Sequence, residues 1–246
     1  MILYFSATGN SKYVAERIAK AIGTKAVSIQ EIPDESVTDV YGMVFPTYAW
    51  GIPSIVREFL QKHKIIATKA PLFYVATYGT TPGQSWYWAD KALKEGSDIS
   101  FNAYYGVRMP DTWTPIFDLS DREKVARINA NAESQIEEII RLIQSNAIGN
   151  YMKGKLPAIT RAVYPFYYDM MKKTDHFAVE NSCIGCGLCA KKCPMQAIEM
   201  REEKPVWTKD KCIMCLGCLH RCPKFAIQYG KKTAKHGQYQ NRNVKV

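Results

Sequence analysis

Met1-Ile2-Leu3-Tyr4-Phe5 runs into Ser6-Ala7-Thr8-Gly9-Asn10-Ser11, after which Val14, Ile18 and Ile22 recur at four-residue steps. The first five residues read as a strand, and the recurrence marks one face of a helix that Gly23 can end. The loop between them carries three hydroxyls, a glycine and an amide, with no cation before Lys12. At a helix N-terminus such a loop can hold a phosphate through backbone N–H groups, hydroxyls and the helix dipole, and Gly9 lets the backbone come close. Ser and Asn before a helix also serve as plain caps.

Outward from this unit the pattern repeats. Strand-like runs at 25–29, 40–45, 72–77 and 99–107 alternate with helical patterns. Pro53 opens one helix, with Ile55, Val56, Phe59 and Leu60 inward. Another passes through Trp86, Ala89 and Leu93 to Gly96. Ser120 and Glu123 form a capping box for the longest, whose stripe is Val125, Ile128, Ala132, Ile136, Ile139 and Ile143. Such alternation predicts a parallel sheet covered by helices on both faces. Two further loops leave strands: Pro46-Thr47-Tyr48-Ala49-Trp50-Gly51, and Thr77-Tyr78-Gly79-Thr80-Thr81-Pro82-Gly83. In an open parallel sheet, loops at the strand carboxyl ends meet at the switch point.

The chain divides into an α/β region at 1–148, a connector at 149–176, a cysteine-rich region at 177–229 and a basic tail at 230–246, expected to be poorly ordered. The connector reads as helical and packed between the regions, with Val163, Phe166, Tyr167, Met170 and Met171 as core and Pro165 as a kink or break.

All eight cysteines fall in two runs, Cys183, Cys186, Cys189, Cys193-Pro194 and Cys212, Cys215, Cys218, Cys222-Pro223. Both spell C-x2-C-x2-C-x3-C-P, and the second repeats the first 29 residues on. Thiolates suit soft iron sites. Zinc ribbons use four ligands rather than this doubled run, and disulfides do not suit the cytoplasmic location expected of a chain whose N-terminus lacks a leader pattern. The runs predict two 4Fe–4S clusters. His220 lies inside a cluster loop and is expected at the surface.

Of the net charge of +10, residues 1–150 hold 15 Lys and Arg against 16 Asp and Glu, while residues 151–246 hold 18 against 7. The basic excess reads either as a solvated face or as a dock for an acidic redox partner. No nucleic-acid motif accompanies it, and no apolar run reaches the ~18 residues of a membrane span.

Ser6-Ala7-Thr8-Gly9-Asn10-Ser11 resembles the FMN phosphate loop of flavodoxins, [ST]-x-T-G-N-[ST], and residues 177–229 resemble two-cluster bacterial ferredoxins. The whole chain resembles flavodoxin–ferredoxin fusion proteins of anaerobes. That resemblance implies a doubly wound five-stranded parallel sheet of order 2-1-3-4-5 followed by an α+β ferredoxin domain. It places the FMN phosphate at Ser6, Ala7, Thr8, Gly9, Asn10 and Ser11. The isoalloxazine falls beside Pro46, Thr47, Tyr48, Ala49, Trp50, Gly51, Thr77, Tyr78, Gly79 and Gly83. One cluster takes Cys183, Cys186, Cys189 and Cys222, the other Cys212, Cys215, Cys218 and Cys193. The implied function is electron transfer between FMN, the clusters and redox proteins of ferredoxin, dehydrogenase or hydrogenase type. The alternative is an FMN-dependent reductase of a small organic substrate (a quinone, nitro compound or corrinoid) bound near Met109-Pro110-Asp111-Thr112-Trp113.

Overall fold

The computed structural model describes residues 1–33, 37–67 and 71–246. A six-stranded parallel sheet organises its first part, formed by β1 (Ile2–Tyr4), β2 (Ala26–Ser28), β3 (Gly42–Pro46), β4 (Phe73–Tyr78), β5 (Ala103–Arg108) and β6 (Gly149–Asn150). The order is β2-β1-β3-β4-β5-β6. This is the expected 2-1-3-4-5 order with a two-residue sixth strand at its edge, register Ala103↔Gly149.

Alternation along β1 sends Ile2 and Tyr4 to one face and Leu3 and Phe5 to the other. On the first face they meet Val14 and Ile18 of α1 (Asn10–Ala21) and Ile136 and Ile139 of α4 (Arg122–Gln144). On the second, Val56 and Leu60 of α2 (Ser54–Lys62) and Ala89 and Leu93 of α3 (Ser85–Ser97) close the core. Each fully buried aliphatic side chain there contributes about 1.5–3 kcal/mol.

Two local expectations are corrected. The cap of α4 is Asp121, whose carboxylate accepts from the Lys124 N–H at 2.9 Å, because Ser120 lies one residue too early. Gly96 does not end α3 but lies inside it, where a Cβ would stand 2.0 Å from the Leu60 carbonyl oxygen. Its service is the close approach of α2 and α3.

The connector forms α5 (Thr160–Met171), continuous through Pro165. Its buried side is Tyr164 and Tyr168, at 1% and 3% exposure, whereas Val163, Phe166 and Met170, expected in the core, face outward. The tyrosines win the inward positions because their hydroxyls find partners there. Tyr164 donates to the Ile52 carbonyl. Tyr168 accepts from the Ser54 N–H at 3.3 Å and donates to the Ile213 carbonyl at 3.1 Å.

The cysteine-rich part is small. β7 (Phe177–Val179) pairs antiparallel with a later strand, β10 (Ile227–Tyr229). Between them lie α6 (Leu188–Lys191), the hairpin of β8 (Ile198–Arg201) with β9 (Lys204–Trp207), and α7 (Gly217–Arg221). A last turn, α8 (Thr233–His236), leads into the C-terminal segment. That segment, expected to be poorly ordered, lies against α7 and the loop before α1, with Tyr239 and Asn241 buried.

Candidate functional site

A cavity of about 350 Å³ opens where the loops after β1, β3, β4 and β5 converge. This is the switch-point edge of the sheet, and the volume is that of an ordinary cofactor pocket. Ser6, Ala7, Thr8, Asn10 and Ser11 line one end. Pro46, Thr47, Tyr48, Ala49 and Trp50 line a wall, with Thr77, Tyr78 and Gly79 beside them. Of the residues expected around FMN, Gly9, Gly51 and Gly83 do not line the cavity. They shape its loops: a Cβ at Gly51 would stand 2.3 Å from the Tyr164 ring, and one at Gly83 would stand 2.4 Å from the Trp50 carbonyl oxygen.

The chemistry of the lining fits the group. Gly9, at φ +96°, precedes α1, and no side chain caps the helix, so its first N–H groups remain for an anion. Ser11 and Thr77 join the first and third loops through a 2.7 Å contact between hydroxyls. The Thr47 hydroxyl is buried without a partner among the described residues and lies in the cavity wall, a polar position for a flavin edge.

The wall after β3 is held in a strained turn. Tyr48 and Gly51 exchange both backbone hydrogen bonds at 2.9 Å, and Ala49 and Trp50 between them have φ of +48° and +73°. Two left-handed non-glycine residues cost about 1–2 kcal/mol each. The turn is braced from α5, where Tyr167 stacks on Trp50 at 5.0 Å and 12°. Burial keeps the Tyr48 hydroxyl protonated.

After β5, Asp111 also lines the cavity. Gly79 lets it approach: a Cβ there would stand 2.1 Å from its Oδ2. Burial raises the Asp111 carboxyl to about 6, opposed by the hydrogen bond from the Trp113 N–H. Sequence reading missed the remaining lining, Ile116, Phe117, Tyr168, Met171 and the segment Ile213, Met214 and Cys215. No local motif marks Ile116, Phe117, Tyr168 or Met171, and the cysteine motif that contains Ile213–Cys215 does not announce a cavity wall, since the fold brings all of them in from afar.

Two voids of about 20 Å³ lie in the cysteine-rich part. Cys183, Cys186, Cys189 and Cys222 face the first, Cys193, Cys212, Cys215 and Cys218 the second. Each void therefore takes three cysteines from one run and the fourth from the other. Equivalent amides support the crossing cysteines: the Ala197 N–H reaches Cys193 Sγ at 3.4 Å, and the Ala226 N–H reaches Cys222 Sγ at 3.3 Å. Burial pushes the Cys212 thiol up to about 12 and also raises Cys215 and Cys218. Iron loading there has to release these protons.

Cys215 borders both the second void and the large cavity. Tyr168 fixes that approach, its hydroxyl joining the first turn of α2 to Ile213. His220, expected at the surface, is buried at 1% exposure. Its Nδ1 accepts from the Tyr239 N–H at 3.2 Å, so Nε2 carries the proton and donates to the Thr112 carbonyl at 2.8 Å. Burial lowers its pKa to about 4, leaving a neutral ring that bolts α7 to the loop after β5.

A family model described as "Flavodoxin domain" matches residues 1–137. Two models described as "4Fe-4S dicluster domain" match 177–223 and 148–198. They overlap at 177–198: the first spans all eight cysteines, enough for one pair of clusters, whereas the second reaches only Cys183, Cys186, Cys189 and Cys193. None of the curated proteins matches the chain in sequence. Among solved structures, a flavone reductase is similar at 13% identity and a TM-score of 0.34, covering 61% of this chain and 66% of its own. The match thus spans just under two thirds of that protein. A short-chain flavodoxin associated with a bacterial microcompartment is similar at 16% identity and a TM-score of 0.32, covering 56% of this chain and 95% of its own. Among the described residues, no helix is long and apolar enough to cross a membrane. With its first 137 residues matched by the flavodoxin model and both cysteine runs matched by dicluster models, the chain belongs to the flavodoxin family as a fusion to a two-cluster ferredoxin, an electron-transfer protein of FMN and two 4Fe–4S clusters.

Proposed function

We propose that the chain is a relay in which electrons pass between an external redox protein and FMN by way of an outer and then an inner cluster. The outer cluster is held by Cys183, Cys186, Cys189 and Cys222, the inner by Cys193, Cys212, Cys215 and Cys218. FMN exchanges one or two electrons and each cluster one, so the set interconverts paired and single electrons. In this reading Ser6–Ser11 hold the phosphate, and Pro46–Trp50 and Thr77–Gly79 flank the ring.

The observation that carries the order is Cys215, which borders both the flavin cavity and the second cysteine void. At the other end Cys186 is exposed, beside Ile184 at 59% exposure. The chain's own residues act by fixing separation and excluding water. Tyr168 ties the inner-cluster loop to the flavodoxin half, and Met214 fills the space between.

The test begins with anaerobic purification, where one flavin and about eight irons per chain are expected. Cys215→Ala and Cys186→Ala then separate the two sets by EPR. The order is wrong if the cluster that survives in Cys215→Ala, rather than the one that survives in Cys186→Ala, is the one magnetically coupled to flavin.

A second reading, reduction of a small organic substrate at the flavin, is favoured by Asp111, a protonatable group in the same cavity. Photoreduced protein turning over a quinone, nitro compound or corrinoid supports it. Failure across that panel leaves the carrier.

A further inference from the structure

Residues 230–246 show no apolar periodicity, yet they end against the loop that begins the flavin site. The Asn241 N–H donates to the Thr8 carbonyl at 2.8 Å. Tyr239 OH lies 2.8 Å from Asn10 Oδ1, its shorter contact, and 3.1 Å from Asn129 Oδ1, and Asn241 Nδ2 donates to Asn10 Oδ1 at 3.3 Å. Burial keeps the Tyr239 phenol protonated and able to donate. The Asn10 amide donates in turn to the Pro110 carbonyl at 3.3 Å. A Cβ at Gly9 would stand 3.0 Å from both Asn241 Cβ and Val244 Cγ2, so the tail packs directly on this turn.

The same segment is anchored to the cluster-bearing chain. Gln238 Nε2 donates to the carbonyls of Leu219 and Cys222 at 2.7 and 2.8 Å. Gln240 Nε2 donates to the His220 carbonyl at 2.9 Å. Four consecutive residues therefore join the segment carrying Cys218 and Cys222 to the turn carrying Thr8 and Asn10.

We propose that residues 238–241 form a clasp that pre-orders the FMN phosphate loop, with Tyr239 and Asn241 as positioning residues for Asn10. The clasp rests on the reading that Ser6–Ser11 hold the phosphate. With both polar ends of the Asn10 side chain engaged, its backbone N–H is fixed in the first turn of α1. An anion site made of N–H groups gains affinity when those groups are ordered before the ligand arrives. The contacts reach the phosphate end alone, so the benefit belongs to FMN and not to riboflavin, which lacks the phosphate.

The experiment uses cluster-loaded protein freed of flavin, titrated with FMN and with riboflavin by fluorescence quenching. The unmodified chain should prefer FMN. Tyr239→Phe, which keeps the ring and loses the hydroxyl, should weaken FMN about fivefold, the effect of one lost hydrogen bond. A chain ending at residue 237 should weaken it by more than about tenfold. Riboflavin affinity should stay within about twofold, and iron content should stay at about eight per chain. Unchanged FMN affinity in both variants, with the FMN preference intact, overturns the clasp. Equal losses for FMN and riboflavin also overturn it, because they mark general loosening. Equal affinities in the unmodified chain sink the phosphate-loop reading instead, and the two failures are therefore separable.

Discussion

The two cysteine runs are copies in spacing, yet the fold gives them opposite surroundings. The outer set has exposed Cys186 and borders little beyond its own void. The inner set sits under Met214 and Leu216 and shares Cys215 with the large cavity. The backbone keeps the copies alike at three left-handed positions 29 residues apart: Gly185 and Met214 (φ +66° and +56°), Gly187 and Leu216 (+71° and +51°), Gln196 and Phe225 (+47° and +50°). At the first two the outer run uses glycine, where the conformation is free. The inner run bears the strain with large side chains, Met214 lining the large cavity and Leu216 the second void. The two sites thus share spacing and backbone form but differ in the side chains at these two positions, and the second borders the large cavity.

The comparison is broken most severely at Cys215. Cys215→Ala should slow flavin reduction by a one-electron donor at least about a hundredfold, a barrier change of about 2.7 kcal/mol, while light-driven reduction of FMN persists. Cys186→Ala should instead leave the inner cluster visible by EPR. Equal flavin reduction rates in Cys215→Ala and the unmodified chain, by rapid mixing, would falsify the inner assignment.

Asp111 tests the cavity that Met214 lines. Its carboxyl is raised from 3.8 to about 6 in the fold, so the folded state favours the protonated form. Stability from this group is full below about pH 4 and is lost as pH rises through about 6. Asp111→Asn should stabilise the flavin-free protein by up to about 3 kcal/mol at pH 7.5 and by little at pH 4. Urea unfolding at the two values measures the gap, and a pH-independent gap excludes this origin.

Tyr168→Phe removes the hydroxyl that joins α2 to Ile213 and should cost about 1–3 kcal/mol, since both partners are left buried. It should disturb the inner-cluster EPR signal and spare the outer one. Smallest is Gly187→Ala. The nearest protein atom to its new Cβ is 3.9 Å away, so in the cluster-free protein the cost is backbone strain, about 1–2 kcal/mol. A negligible loss there would mean that Leu216 bears no comparable strain.

The parallel sheet was legible from local alternation, whereas its strand order and the crossed cysteine sets came only with the family resemblance that the Ser6–Ser11 turn and the cysteine spacing carry. The inward face of α5 was not legible. Tyr164 and Tyr168 outrank Val163 and Phe166 because hydroxyl partners, the carbonyls of Ile52 and Ile213, lie in remote segments. The burial of His220 was hidden for the same reason, its partners being Thr112 and Tyr239. The tail was illegible by composition, since polar residues bury well only where a ready set of carbonyls and amides receives them. The walls of the cavity that come from α5 and from Ile213–Cys215 are likewise products of docking between the two halves.

The contact between Asn241 and Asn10 joins residues 231 positions apart. During synthesis, the turn that starts the flavin site emerges first, and the residues that lie upon it follow both cysteine runs. A nascent chain thus has its phosphate turn uncovered until the cluster-bearing part has been made. That turn can therefore be covered only after the last residues of the chain have been made.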